Sequence, residues 1–161
     1  MDFGGTDLEH TTLITSSRII QSLLLQVLFA IQQGEVECQF EHRDMHWGNI
    51  LVEQAETDYI VYDIFDGTEV QRVKMDTWGV KITIIDFTLS RMVGEDGVLY
   101  NDLEQDLELF DGVGESEGGD FQFDVYRMMR DELKKDWSRY SPRTNVLVFL
   151  MVYLVDSIPC W

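Results

Sequence analysis

From Thr11 to Gln33 the apolar residues Leu13, Ile14, Ile19, Ile20, Leu23, Leu24, Val27, Leu28 and Ile31 recur at helical spacing, and a helix that is apolar on most sides has to be enclosed by the rest of its fold. Whatever else the chain forms must be arranged around that segment. Gly34 follows as the predicted stop, because glycine disfavours a helix interior. With 161 residues, 45% of them hydrophobic, the chain can bury one core of respectable size and has no room for two ordinary domains and a linker.

After the helix, FEHRDMHWGNILVEQ begins polar and turns to Ile50, Leu51 and Val52, the pattern of a loop running into a short strand. The stretch DYIVYDIF, then Asp66 and Gly67, then TEVQRVKM reads as an inserted β-hairpin, since Asp-Gly readily takes the positive φ angles of a type I′ turn. Lys81 to Phe87, KITIIDF, reads as a β-branched strand ending in an aspartate. Phe123 to Leu133 and Asn145 to Val155 read as further helices. The longest uninterrupted apolar run, Val146 to Val155, is closed by Asp156 and falls short of the about 18 residues a membrane span needs, so a buried helix is expected there.

The formal charge is -18, which disfavours direct contact with nucleic acid and suits a basic partner; acidic surfaces also serve solubility alone. Between Arg91 and Arg127 there is no Lys or Arg, while Asp102, Glu104, Asp106, Glu108, Asp111, Glu115, Glu117 and Asp120 all fall there. The glycine-rich part of that segment, GVGESEGGD, is expected to be mobile. The opening MDFGGTDLEH has neither the basic region nor the apolar region of a targeting peptide, so an intracellular protein is expected. Cys38 and Cys160 lack metal-ligand spacing and support neither a disulfide framework nor a zinc site.

The strongest chemical signal is His42, Arg43 and Asp44, then four residues, then Asn49, followed by an apolar strand: the H-R-D-x-x-x-x-N pattern of a kinase catalytic loop. Four fixed positions in that register recur by accident in roughly one chain of this length per thousand. The chemistry requires a carboxylate to accept or orient the proton of the attacking hydroxyl and an amide oxygen to hold Mg²⁺ on the ATP phosphates. Asp44 and Asn49 fit those roles. Asp86, after the strand Ile82 to Ile85, stands where a second metal ligand is needed; taken alone it reads more readily as a strand-end turn residue, and it is the preceding H-R-D loop that turns the reading to a metal ligand. The spacing HxDxHxGN with a later IIDF is also similar to phosphotransferases that modify choline or aminoglycosides.

Further segments resemble one family, the haspin kinases. FGGTDLE at Phe3 to Glu9 resembles the haspin hinge, HRDMHWGN its catalytic loop, and IIDFTLSR its aspartate-aromatic-threonine variant of the DFG triplet. GDFQFDVYRMMR at Gly119 to Arg130, with YSP and TNVLVFLMVYL, resembles the helices after its activation segment. The 42-residue interval from Asp44 to Asp86 also resembles haspin, which carries an insertion there. The resemblance covers nearly the whole chain.

The resemblance implies an α+β, mainly helical fold: a protein-kinase-like C-lobe with small β-hairpins and the N-lobe absent. Residues 1–161 would then be a partial kinase domain from the hinge onward, with 92–120 as its acidic activation-type segment. ATP and Mg²⁺ are the implied cofactors. The backbones of Asp2 and Gly4 would meet the adenine, Asp7 the ribose, and Asn49 and Asp86 the metal. Asp44 would be the catalytic base, and His46, Asp106 and Glu108 would contact a basic substrate tail. His42 and Arg43 would be supports, and Asp124 would anchor the catalytic loop.

The implied substrate is a threonine near the amino end of a core histone tail, phosphorylated in mitosis. The implied place is the nucleus, on chromosomes, with the cytoplasm as an alternative, and neither nucleic acid nor membrane is a direct partner. No glycine-rich ATP loop and no V-A-I-K lysine is present, so the isolated polypeptide is expected to be inactive. Two other readings stay open: a non-catalytic acidic module that docks basic tails, and a small-molecule phosphotransferase, against which the acidic segment and FQFDVYR count.

Overall fold

The first long helix, α1, spans Ser17–Cys38, starting later and ending later than its apolar pattern suggests. The Ser16 hydroxyl accepts from the Ile19 N–H at 3.4 Å and its carbonyl accepts from Ile19 and Ile20, so the serine caps the first turn. Gly34 does not stop the helix. An interior glycine costs only about 1 kcal/mol, and Gln33 hydrogen-bonds Glu37 across it at 3.0 Å. The stop comes at Gln39, which takes φ 50°.

The computed structural model describes residues 4–65 and 68–154. They divide into two bodies: residues up to Glu37 with Trp47–Ile85, and Cys38–His46 with residues from Asp86 onward. In the first body, β1 (Thr6–Asp7), β2 (Ile50–Gln54) and β5 (Val80–Ile84) make an antiparallel sheet in the order β1-β2-β5. Its buried side chains include Leu8, Ile50, Val52 and Val80, joined by Ile19, Leu23, Val27 and Ile31 of α1. Gly5 precedes β1 with φ 109°, and a Cβ on it would lie 2.4 Å from the Val52 carbonyl oxygen, so only glycine fits there.

By length and composition α1 could cross a membrane. Its buried face, however, carries Ser22 and Gln26, and both are committed to the protein. The Ser22 hydroxyl reaches the carbonyls of Asp76 and Thr77 at 3.0 and 3.1 Å. Gln26 donates to the Val80 carbonyl and accepts from the Ile82 N–H, both at 3.0 Å. A side-chain amide thus takes the place a further strand would occupy beside β5, meeting backbone groups that are costly to leave unpaired.

The inserted hairpin is present: β3 (Tyr59–Phe65) pairs antiparallel with β4 (Val70–Asp76), from Tyr59↔Asp76 to Phe65↔Val70. Its Asp66-Gly67 turn lies outside the described residues. Ile60, Tyr62 and Ile64 are half-buried while Tyr59, Val61, Asp63 and Phe65 are exposed, the period-two alternation of a sheet with one wet face.

In the second body, α3 (Phe121–Leu133) and α4 (Arg143–Leu154) pack together, with the short α2 (Glu108–Asp111) against α3 and a small hairpin of β6 (Met92–Gly94) and β7 (Gly97–Leu99). Asp120 caps α3 by accepting from the Gln122 N–H at 2.9 Å. Val125, Tyr126, Met129, Leu133, Trp137, Val148 and Met151 form the core.

The glycine-rich stretch, expected to move freely, is folded under α3. Gly119 and Asp120 donate to the carbonyls of Gly114 and Val113, both at 2.9 Å, and Arg127 holds the carbonyls of Phe110 and Gly112 at 3.0 and 2.9 Å. With four helices and seven strands among the described residues, the fold is α+β, richer in strand than a mainly helical reading expects. KITIIDF also ends sooner than its β-branched pattern suggests: β5 stops at Ile84, and Asp86 follows in left-handed backbone, φ 58°.

Candidate active site

Residues Phe40 to His46 have little regular structure, and other parts of the second body hold them. The Glu41 and Arg91 backbones exchange two hydrogen bonds of 2.8 Å. The Asn145 side chain accepts from the His42 N–H at 3.0 Å and donates to the Phe40 carbonyl at 2.8 Å. Glu41 and Arg43, both wholly buried, form an ion pair at 3.0 Å. Arg43 also donates to the carbonyls of Trp137 at 2.8 Å and Arg139 at 3.2 Å. Burial pulls the guanidinium pKa down and Glu41 opposes it. Arg43 sits at φ 66°, a conformation costing a non-glycine residue of order 1–3 kcal/mol, so its partners must over-determine it.

Asp44 is half-buried beside this clamp. Its N–H donates to His42 Nδ1 at 3.3 Å, so the His42 ring carries its proton on Nε2 when neutral. Asp44 Oδ1 accepts from the Tyr126 hydroxyl at 2.6 Å and from Gln122 Nε2 at 3.1 Å. Burial, reinforced by Asp44, pushes the Tyr126 phenol far above its usual range, so it remains a donor at any physiological pH.

Asp86 is exposed and its Oδ1 accepts from both the N–H and the hydroxyl of Thr88. Those bonds, chiefly the hydroxyl's, hold its carboxyl below the usual carboxylate range, with smaller contributions from His42 and His46. Phe87 meets the rings of His42 and Phe40 edge-on, at centroid distances of 5.6 and 5.8 Å. Asp44 and the Asp86 segment are therefore both tied to one buried histidine.

The remaining second-body positions are more dispersed. His46 is half-buried, and Asp106 and Glu108 are exposed at the end of a 3₁₀ turn and the start of α2. Asp124 accepts from the Glu115 N–H and from Arg127 Nη2, both at 2.8 Å, bonds that secure the glycine-rich stretch. A Cβ on Gly114 would lie 2.3 Å from Asp124 Oδ1, so glycine is what lets that carboxylate reach Glu115.

In the first body, Asn49 is buried in a 3₁₀ turn, Trp47–Asn49, and its carbonyl accepts from the Ile85 N–H at 3.0 Å. Gly4 and Asp7 lie close in the same body: Asp7 pairs with Leu51, and the Leu8 N–H reaches the carbonyls of Trp47 and Ile50. The Asp7 carboxylate meets His10 Nδ1 at 2.6 Å, a bond that lowers its pKa and raises that of the imidazole. Asp7, Glu9 and His10 place ligand atoms within 4.8 Å of one another, but they are largely exposed and two of them already bond each other. Asp2 lies outside the described residues.

The residues that sequence reasoning missed are Tyr126, Gln122, Glu41, Thr144 and Asn145. Two signals were available. Gln122 and Tyr126 are four apart and so share a face of α3, and Thr144 and Asn145 are polar residues opening an otherwise apolar helix.

A family model described as the haspin-like kinase domain matches residues 1–158. A serine/threonine-protein kinase haspin homolog of Drosophila melanogaster is 41% identical over 160 residues, covering 98% of this chain and 26% of that protein. The Arabidopsis thaliana homolog is 39% identical over 158 residues, with 98% and 24% covered. Mus musculus serine/threonine-protein kinase haspin is 37% identical over 158 residues, with 98% and 20% covered. The chain belongs to the haspin-like kinase family. It spans about a fifth to a quarter of the length of these relatives.

Proposed function

We propose that this chain carries the catalytic-loop part of a haspin-type serine/threonine protein kinase, in a kinase C-lobe, and serves transfer of the ATP γ-phosphoryl group to a protein hydroxyl. The observation that carries the reading is the Asp44 carboxylate, held by Tyr126 and Gln122 at the end of a clamped H-R-D segment. Asp44 accepts or orients the proton of the attacking hydroxyl. The reaction asks little covalent chemistry of the protein, so positioning and charge stabilisation supply most of the rate.

Asp86 is exposed and held ionised by Thr88, and a carboxylate is the hard oxygen donor that Mg²⁺ prefers. Asp86 would be one ligand, and the motif assigns Asn49 the same kind of role. The bound ion would neutralise charge on the phosphates. Gly4 and Asp7 are assigned to the nucleotide by the same resemblance.

The finer reading is a threonine near the amino end of a core histone tail, modified in mitosis on chromosomes in the nucleus. It is supported by the exposed acids Asp106 and Glu108 in a stretch without Lys or Arg, since complementary charge raises encounter rate and fixes orientation. His46 would join them against the tail.

The test is to incubate the full-length protein with labelled ATP and a panel of histone tail peptides, beside Asp44→Asn. Label should enter a threonine of one basic tail, and the variant should lose about 10²–10⁴ of the rate. Tail binding that weakens with salt but ignores ATP would instead identify a docking module.

A further inference from the structure

Three atoms on two elements of the second body form a closed set of hydrogen bonds. Tyr126 OH donates to Asp44 Oδ1 at 2.6 Å, Gln122 Nε2 donates to the same oxygen at 3.1 Å, and Gln122 Nε2 also donates to the Tyr126 oxygen. The chemistry fixes the direction of each bond. A carboxylate only accepts, so the tyrosine proton points at Asp44 and the phenol oxygen is left to accept from the amide. The opposite amide orientation would set Gln122 Oε1 against a carboxylate oxygen, which is repulsive. We infer that Tyr126 and Gln122 are positioning residues for phosphoryl transfer, fixing the orientation of the Asp44 carboxylate; this rests on the reading of Asp44 as the group that receives the substrate hydroxyl.

The physical need is specific. The terminal torsion of an aspartate is broad and roughly two-fold, so nothing intrinsic to Asp44 aims its oxygens. Two donors on Oδ1 remove that freedom. They are well placed to do so, because Tyr126 is 2% exposed, its ring meets Phe123 at 6.5 Å, and Gln122 lies in the first turn of α3 behind its Asp120 cap. The couple is thus rigid before any substrate arrives. A misplacement of about 1 Å at a reacting group can cost about a hundredfold in rate.

The experiment compares Tyr126→Phe, Gln122→Leu, Asp44→Asn and the double variant Tyr126→Phe with Asp44→Asn, in the full-length protein. It reads kcat, KM for ATP and the thermal midpoint. Tyr126→Phe keeps the buried ring and removes only the hydroxyl, so we expect kcat to fall about ten- to a hundredfold, the worth of a hydrogen bond to a charged group. KM for ATP should stay within twofold of the parent, and in the double variant the hydroxyl should make no further difference. Should Tyr126→Phe fold poorly, Gln122→Leu, at a half-buried position, must show the same kcat-only loss.

A folded Tyr126→Phe with parental kcat, or a loss of equal size with and without Asp44, overturns the inference and leaves the role of Asp44 standing. Parental activity in Asp44→Asn removes the reading of the site itself, and this inference with it.

Discussion

Residues 40–46 and the β3–β4 hairpin solve the same problem, holding a backbone in one place, by opposite means. The hairpin is regular and half solvated. Its seven cross-strand pairs satisfy one another, and Tyr59, Val61, Phe65 and Val70 remain exposed. The 40–46 segment has almost no regular pairing, yet Glu41, His42, Arg43 and Met45 are fully enclosed. Its polar groups are met by side chains and by backbone N–H and carbonyl groups of residues 91, 137, 139, 141, 144 and 145. A ladder can fix a strand without burying it, whereas an irregular segment that presents a chosen side chain must be over-determined from outside. Asp44 emerges from the second kind of structure.

Glu41→Gln breaks that arrangement most severely. Ser141 N–H, the Thr144 hydroxyl, and Nε and Nη2 of Arg43 all point at the Glu41 carboxylate, at 2.6 to 3.1 Å. A glutamine offers one acceptor oxygen, sets its NH₂ against donors, and leaves the Arg43 charge enclosed without its counter-ion. Removing one partner of a buried pair costs about 3–5 kcal/mol, so the urea midpoint should drop sharply. A variant unfolding near the parental midpoint would show that the segment is held by its backbone after all.

This contrast also explains what the sequence disclosed. The hairpin, α1 and α3 were legible because their buried positions recur with a period of two or of 3.6, and α4 because it carries one uninterrupted apolar run. The H-R-D-x-x-x-x-N run was legible because the chemistry demands fixed types at fixed spacing. Partners of an irregular segment leave no such trace: Glu41 and Thr144 are 103 positions apart. The same holds for Gln26, whose polar side chain in an apolar helix gave no sign that it pairs with β5. Left-handed backbone at Arg43 was equally hidden, since arginine is not a type that favours it, whereas Asp86 belongs to one of the few non-glycine types enriched there.

An intermediate case sharpens the comparison. Glu104 and Arg130 form a two-pronged pair, both bonds 2.6 Å, with each side chain about a quarter exposed. Arg130, then Trp137, hold the Glu104 carboxyl below its usual range. A depressed carboxylate pKa means that its stabilisation is complete above the ordinary glutamate range and is lost as pH falls through the folded value. Glu104→Gln should therefore lower the urea midpoint at pH 7 by less than Glu41→Gln does, and the difference from the parent should close in acid and narrow in high salt. A gap that persists in acid would assign the effect to packing.

The smallest effect belongs to the hairpin. Arg72 stands directly across from Asp63 and bonds it at 2.8 and 3.3 Å, yet their side chains are 75% and 48% exposed. The guanidinium lowers the Asp63 pKa, but charges so well solvated gain little by meeting and lose side-chain freedom to do it. Arg72→Ala should leave the urea midpoint unmoved within error, and backbone amide exchange along β3 should keep its protection, because the ladder does not depend on the pair. A marked loss of protection at Tyr62 or Ile64 would mean that side chains fix the hairpin as they fix residues 40–46, and the distinction between the two regions would fall.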